Sequence, residues 1–398
     1  MKLAFVVQRY GADIAGGSEG HCRELAQRLS GQHDITVLTT CARDYVTWKN
    51  VLPPGESRDG AVRVVRFPVR RPRRLKVFAD ISDEVFDAHA EASRQQEWFR
   101  ENGPDTPALL DHLRRCGRGY DLVLFWTFRY APSYFGVPIV AERAVLVPTA
   151  EEDSAVLLPV LQEFFRTPAG YLFLTPEEEA LVTARAGAPL QPAATIGAGL
   201  DAVSPSTPET LGKQQALLQQ QGIAPEFVLY LGRVDRNKGC DTLLEYFQQY
   251  AAAADVPQTT LVLAGPAKMQ VPSHPRIKAL GYVSDSMRAA LLAHARALII
   301  PSRYESLSIV LLEGWNHAVP ALVNARCRVL KGQVERADGG LYYRSAREFS
   351  AALAYLLSHP AERDAFGRQG LRYVEQEYRW PTVLARVEQL LNDVNRAH

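Results

Sequence analysis

Short apolar runs alternate with helix-patterned stretches along nearly the whole chain, and the rhythm stops once near the middle before it restarts. In the first half the runs are KLAFVVQ, DITVLTT, VRVVRF, YDLVLFWTF, AVLVP and GYLFLT. A loop follows each, and then usually a helical pattern such as SEGHCRELAQRLS or PEEEALVTARAG. Residues 199–225, rich in Pro, Ser, Thr and Gln, break the rhythm and read as a connection between domains. It resumes with EFVLYLGR, a helix over 239–253, TTLVLAG, RIKALGYV, a helix over 285–294, RALIIPS, a helix from about 307, and PALVNA. Three helical stretches broken at Pro360 and Pro381 close the chain. Such alternation builds βαβ units and parallel sheets rather than hairpins. The expected fold class is α/β, with two Rossmann-like, doubly wound domains facing each other across a cleft. The expected boundaries are 1–200 and 201–380, with 381–398 a helix crossing back to the first domain. In doubly wound sheets ligands sit beyond the carboxyl ends of the strands, so the strand-to-helix loops are where chemistry belongs.

Composition narrows the partners. The 398 residues suffice for two domains. A net charge of +1 gives no overall field to gather nucleic acid. The five cysteines, Cys22, Cys41, Cys116, Cys240 and Cys327, show no paired spacing, and they read as buried thiols in a reducing compartment. MKLAFVVQRYGADIAGG reads as a first strand and a Gly-rich turn rather than a signal peptide. No apolar stretch approaches the ~20 residues of a membrane span. A cytoplasmic protein is expected. The run from Arg63 to Lys76 holds seven Arg or Lys and no acid. It reads either as a solvated loop or as a patch for an anionic acceptor or for the inner face of a membrane.

Three loops carry residue types suited to one chemistry. In RYGADIAGGSEGHCRELA, after the first strand, Gly16 and Gly17 can bring backbone N–H groups close to a phosphate or sugar. Alternatively this is a plain turn before a helix capped by Ser18. In LGRVDRNKGCDTLLEYF, Arg233 and Lys238 flank a turn into a helix, a pairing that suits a diphosphate. In PSRYESLSIVLLEGWNHAVPALVN, Glu305 and Glu313 stand seven residues apart. A helix starting near Ser306 would put Glu305 at its mouth and Glu313 about two turns along, roughly 12 Å away. The N–H groups of Leu307, Ser308 and Ile309 would then meet a phosphate. Carboxylates on either side of it can accept hydrogen bonds from ribose and hexose hydroxyls. Glu313 lies within the apolar IVLLEGW, so it needs a partner.

GRVDRNKG followed by PSRYESLSIVLLEGWNHAVP resembles the signature of glycosyltransferase family 4, the retaining enzymes of the GT-B fold. The N-terminal GG, TIGAGLD and the closing YRWPTVLARVEQLL fit the same pattern, so the resemblance spans nearly the whole chain. It implies that Arg233 and Lys238 bind the donor diphosphate, Glu313 the ribose and Glu305 the transferred sugar. It also implies that Ser306, Leu307, Ser308 and Ile309 face the phosphates, and that Gly281 and Tyr282 meet the nucleobase. By the same resemblance the loop around Gly16 and Gly17 would close over the donor from the other domain. Glu305, Arg233 and Lys238 are then the catalytic set, with no metal and no cofactor. The implied reaction moves a hexose-type sugar from a nucleoside-diphosphate sugar to a glycan, lipid-linked or small-molecule acceptor, in polysaccharide or glycoconjugate biosynthesis.

The chain departs from that pattern in places. Ser306-Leu307-Ser308 stands where many relatives have a glycine, and Gly314 and Ala318 replace an Ala and a Gly. VPTAEEDSAV carries Glu151, Glu152 and Asp153 where many relatives carry a sugar-side histidine, making Glu151 a further candidate. The alternatives are an epimerase or phosphorylase on the same fold, or a non-catalytic sugar-binding module. A dehydrogenase lacks its G-x-G-x-x-G fingerprint here.

Overall fold

The computed structural model describes residues 1–397 apart from 15, 88–89 and 205–206. Among the described residues fourteen strands form two sheets. Met1–Ala198 and Val383–His398 make up one compact unit, and Gly199–Thr382 make up the other.

The first sheet contains β1 (Lys2–Val6), β2 (Asp34–Thr40), β3 (Gly55–Asp59), β4 (Val62–Phe67), β5 (Leu122–Trp126), β6 (Ala144–Val147), β7 (Gly170–Phe173) and β8 (Ala193–Thr195), in the order β3-β4-β2-β1-β5-β6-β7-β8. β5 and β6 are buried along their whole length, which is why they read as unbroken apolar runs: helices cover both faces of a parallel sheet. One pairing departs from the expectation of parallel strands alone. β3 runs antiparallel to β4 through a tight turn in which Gly60 has φ 61°. Its sequence, GESRD, carries no apolar signal because the strand is an exposed edge.

The second sheet contains β9 (Phe227–Leu231), β10 (Thr260–Ala264), β11 (Ile277–Gly281), β12 (Leu298–Ile300), β13 (Ala321–Asn324) and β14 (Gly340–Tyr343), in the order β11-β10-β9-β12-β13-β14. Its pairings are parallel. This is the 3-2-1-4-5-6 arrangement of a doubly wound sheet, and the strand order reverses between β9 and β12. The stretch 199–225, whose residues 205–206 lie outside the described ones, is more than a connection. Pro208–Gln220 is a helix, capped where the Thr207 hydroxyl accepts from the Thr210 N–H at 3.2 Å. Leu218 and the following Ile223 are buried in the second unit. In the tail the helices Ala346–Ser358, Pro360–Glu377 and Trp380–Arg396 carry Pro360 and Pro381 in their first turns, where a missing N–H costs nothing. From Val383 onward the last helix packs with the first unit, and its Glu388 meets His33 at 2.7 Å.

Most arginines of the basic run have partners within the first unit. Arg63 pairs with Glu56, Arg70 with Asp105, and both Arg71 and Arg74 with Glu101. Arg66 donates to the Tyr10 carbonyl and Arg73 to that of Asn102. Burial raises the Glu101 carboxyl, but the two arginines outweigh it and hold it at about 2. Four cysteines are buried, whereas Cys116 is exposed, contrary to its reading as a buried thiol. Among the described residues no helix is long and apolar enough to cross a membrane.

The helix Gly17–Leu29 is tied to the first sheet by a buried histidine. The indole N–H of Trp126 can only donate, so it makes His21 Nδ1 an acceptor at 3.1 Å. The proton then sits on Nε2, which donates to the Gly197 carbonyl at 3.0 Å. Burial pushes the imidazole pKa down to about 4, outweighing the Gly197 bond. An unfolded chain with an ordinary histidine near 6.5 takes up this proton first, so the native state loses stability as pH falls through the interval. Between pH 6.5 and 4 the wild type should lose up to about 3 kcal/mol more than His21→Gln, as read from urea unfolding across that range. Parallel pH profiles for the two proteins would contradict this.

Candidate functional site

Two loops flank the point where the second sheet reverses its strand order, one after β9 and one after β12. The first begins at Gly232. Gly265, at φ 144°, approaches so closely that a Cβ there would lie 1.9 Å from the Gly232 carbonyl oxygen. The Arg233 guanidinium forms an ion pair with Asp235. Asp235 also caps the short turn Arg236–Lys238, accepting from the Lys238 N–H at 2.9 Å. Gly239 follows at φ 73°, and a Cβ on it would come within 2.4 Å of the Pro301 carbonyl oxygen. That close approach brings the first loop against the start of the second, and the helix Cys240–Ala252 departs from it.

The second loop runs from Pro301 to Ser308. The Asn324 amide holds the Pro301 carbonyl at 3.0 Å. Lys238 Nζ meets Glu305 Oε1 at 2.8 Å, so the two loops are joined by an ion pair whose carboxylate side chain is only 12% exposed. The helix does not begin near Ser306. It spans Ile309–Asn316, with the Ser308 hydroxyl accepting from the Leu311 N–H. Ser306 and Ser308 are equally good caps by type, and Leu307 decides between them by turning inward to 8% exposure. Glu305 therefore sits in the loop, four residues before the first helical one, rather than at the helix mouth. Glu313 is the fifth helical residue, about 6 Å along the axis from Ile309 instead of two turns from the start. Ile309 and Val310, rather than Leu307 and Ser308, head the helix with N–H groups that lack intrahelical acceptors.

Glu313 points toward another helix of the same domain, Asp285–His294, and forms an ion pair with Arg288. Burial pushes its carboxyl pKa up, and Arg288 pulls it part of the way back. A cavity of about 270 Å³ beside the pair is lined by Asp285, Asn316, His317 and Leu200. Gly281 ends β11 at φ 66° and accepts the Gly265 N–H at 2.7 Å, while the Tyr282 side chain is 87% exposed.

The second domain thus brings Lys238 and Glu305 into contact. It sets Arg233 in the same loop as Lys238, and Glu313 on the helix that follows Glu305. The partners Asp235 and Arg288 were missed by sequence reasoning. Asp235 had a signal, as a capping type three residues before Lys238, whereas Arg288 had none.

The remaining candidates belong to the first domain. Gly16, not Ser18, is the residue preceding the helix Gly17–Leu29. A Cβ on Gly16 would lie 2.2 Å from Glu19 Oε2, because a buried ion pair underlies the turn: Arg9 Nη2 to Glu19 Oε1 at 2.5 Å. Glu151 lies in the loop after β6, which is fixed on both sides. The Ala150 N–H donates to Glu178 at 2.6 Å, and Asp153 pairs with Arg129. Glu178 is fully buried, and burial pushes its carboxyl up to about 8 against the pull of two backbone N–H groups. Among the described residues no three His, Cys, Asp or Glu side chains gather as a metal site.

Residues 225–359 match a family model described as Glycosyl transferases group 1, so the matched domain is that of a glycosyltransferase. No curated protein matches the chain in sequence. Among solved structures, the sucrose-phosphate synthase of Thermosynechococcus elongatus is 17% identical, with a TM-score of 0.70 over 100% of both chains. The α,α-trehalose 6-phosphate synthase of Burkholderia multivorans is 15% identical, with a TM-score of 0.71 over 100% of this chain and 98% of that one. Anabaena HepE, solved with UDP and glucose, is 16% identical, with a TM-score of 0.68 over 99% of this chain and 100% of that one. These likenesses identify the fold as GT-B.

Gly239→Ala should cost about 1–2 kcal/mol or more, since it forces a side chain into the left-handed region and against the Pro301 carbonyl. Chemical denaturation of the variant checks this. An unchanged midpoint would mean that the two loops are not held by that approach.

Proposed function

We propose that the protein is a retaining glycosyltransferase that works without a metal ion, moving a hexose-type sugar from a nucleoside-diphosphate sugar to a carbohydrate or lipid-linked acceptor. The observation that carries this reading is the Lys238–Glu305 pair, which joins the two loops at the strand-order reversal beside the head of the helix Ile309–Asn316. The solved relatives give a first donor class, since HepE was crystallised with UDP-glucose and the Escherichia coli trehalose-6-phosphate protein with UDP-2-fluoro glucose.

The chemistry follows from charge. As the bond between the sugar C1 and the phosphate oxygen breaks, negative charge gathers on the departing diphosphate. Arg233, Lys238 and the Ile309 and Val310 N–H groups are the groups that stabilise it. The diphosphate takes these cations from Asp235 and Glu305, and it leaves Glu305 to accept hydrogen bonds from the sugar's hydroxyls. The acceptor oxygen attacks C1 from the side the diphosphate leaves, and its proton passes to the departing phosphate oxygen. Retention of configuration then needs no enzymic base. Glu313 accepts from the ribose.

The test is turnover of UDP-sugars in excess chelator, together with calorimetry of the free diphosphate. Arg233→Ala and Lys238→Ala should each lower turnover at least tenfold, about 1.4 kcal/mol, and weaken diphosphate binding. Glu305→Ala should lose turnover while keeping diphosphate affinity, and Glu313→Ala should lose both. Unchanged diphosphate affinity in both cation variants, or activity that vanishes with chelator and returns with magnesium or manganese, would overturn the reading.

A further inference from the structure

We propose that Arg288 is the positioning residue for the ribose-binding carboxylate, holding one oxygen of Glu313 so that the other faces the nucleoside. The inference rests on the reading of Glu313 given above and extends it to a second element of the fold. Glu313 sits among Leu311, Leu312, Gly314 and Trp315, all buried. Gly314 brings the helix so close to β12 that a Cβ there would meet Leu298 at 2.6 Å. The Glu313 side chain is 19% exposed, and Arg288 is its ion-pair partner among the described residues. The bond engages Oε2 alone, which leaves Oε1 open to hydroxyl donors.

The place of Arg288 in the fold gives this contact its meaning. Its helix, Asp285–His294, starts directly after the stretch Gly281–Ser284, with the Ser284 hydroxyl capping the Met287 N–H at 3.3 Å. The element proposed to meet the base therefore also orients the group proposed to hold the ribose, so base and ribose are read by one loop and its helix. The other neighbours of Glu313 named here do not replace the charge of Arg288. Asn316 donates to the Asp201 carbonyl at 2.9 Å and accepts from Arg379 at 2.8 Å. Burial and the nearby Arg288 both push His317 down. Asp285, on the cavity wall, carries the same sign as Glu313. Without Arg288, a carboxylate in this setting is uncompensated and takes up a proton, because burial disfavours the charged form.

The experiment measures the affinity of UDP and of inorganic pyrophosphate by calorimetry at several pH values. It is run in a His317→Gln background with the protein that keeps Arg288 measured alongside, so that the ionisation of the ligand phosphates cancels and the remaining difference belongs to Glu313, with a melting curve for each variant. Arg288→Met should weaken UDP about tenfold at pH 6, with affinity recovering as pH rises and Glu313 ionises. Pyrophosphate binding should be unchanged, and Arg288→Lys should restore most of the UDP affinity. A loss that is flat with pH, or one shared equally by pyrophosphate, would overturn the assignment and leave Arg288 a structural residue. Glu313→Gln separates the two levels. If it leaves UDP affinity intact, the ribose reading itself fails. If it weakens UDP while Arg288→Met does not, only the positioning role fails.

Discussion

The Lys238–Glu305 ion pair is the interaction that ties together the two candidate loops of the second domain. The two residues lie on loops that leave adjacent strands on either side of the strand-order reversal, and the pair closes the gap between them at 2.8 Å. Beside it Gly239 lets its loop approach the Pro301 carbonyl, while Asn324 fixes that carbonyl from the next strand. A carboxylate at 12% exposure cannot be left without a cation at little cost, so each partner keeps the other in place until an anion competes for the lysine.

The same arrangement recurs along the site. Arg233 rests on Asp235, Lys238 on Glu305, and Arg288 on Glu313. In the free protein the charges proposed to handle a diphosphate and two sugars are thus compensated within the domain. Cations held on carboxylates in this way stand in place before a ligand arrives, and a diphosphate then has only to exchange with those carboxylates for them. The first domain shows a similar economy, with the basic run turned toward Glu101, Asp105 and Asn102, and with Arg9 buried against Glu19.

Much of this was legible in the sequence, and the illegible part has physical reasons. Parallel strands buried on both faces announce themselves as apolar runs, so eleven of the fourteen strands could be read. The edge strands β8, three half-buried residues, and β14, with only its two ends buried, carried no such run. Loops after strands pointed to Arg233, Lys238, Glu305 and Glu313. The edge strand Gly55–Asp59 has no apolar face to announce it. The helix start moved from Ser306 to Ser308 because capping chemistry alone cannot choose between two serines, and the burial of Leu307 does. Counter-ions were the least visible feature. Arg288 and Glu313 are 25 residues apart, and Lys238 and Glu305 are 67 apart, so only the folded sheet brings them together.

The most direct test of the account is a crystal structure of the protein grown with UDP. The account predicts phosphates within hydrogen-bonding distance of Arg233, Lys238 and the Ile309 and Val310 N–H groups. It also predicts a Lys238–Glu305 pair loosened by the diphosphate and ribose hydroxyls on Glu313. UDP bound elsewhere, with the Lys238–Glu305 and Arg233–Asp235 pairs undisturbed, would contradict it.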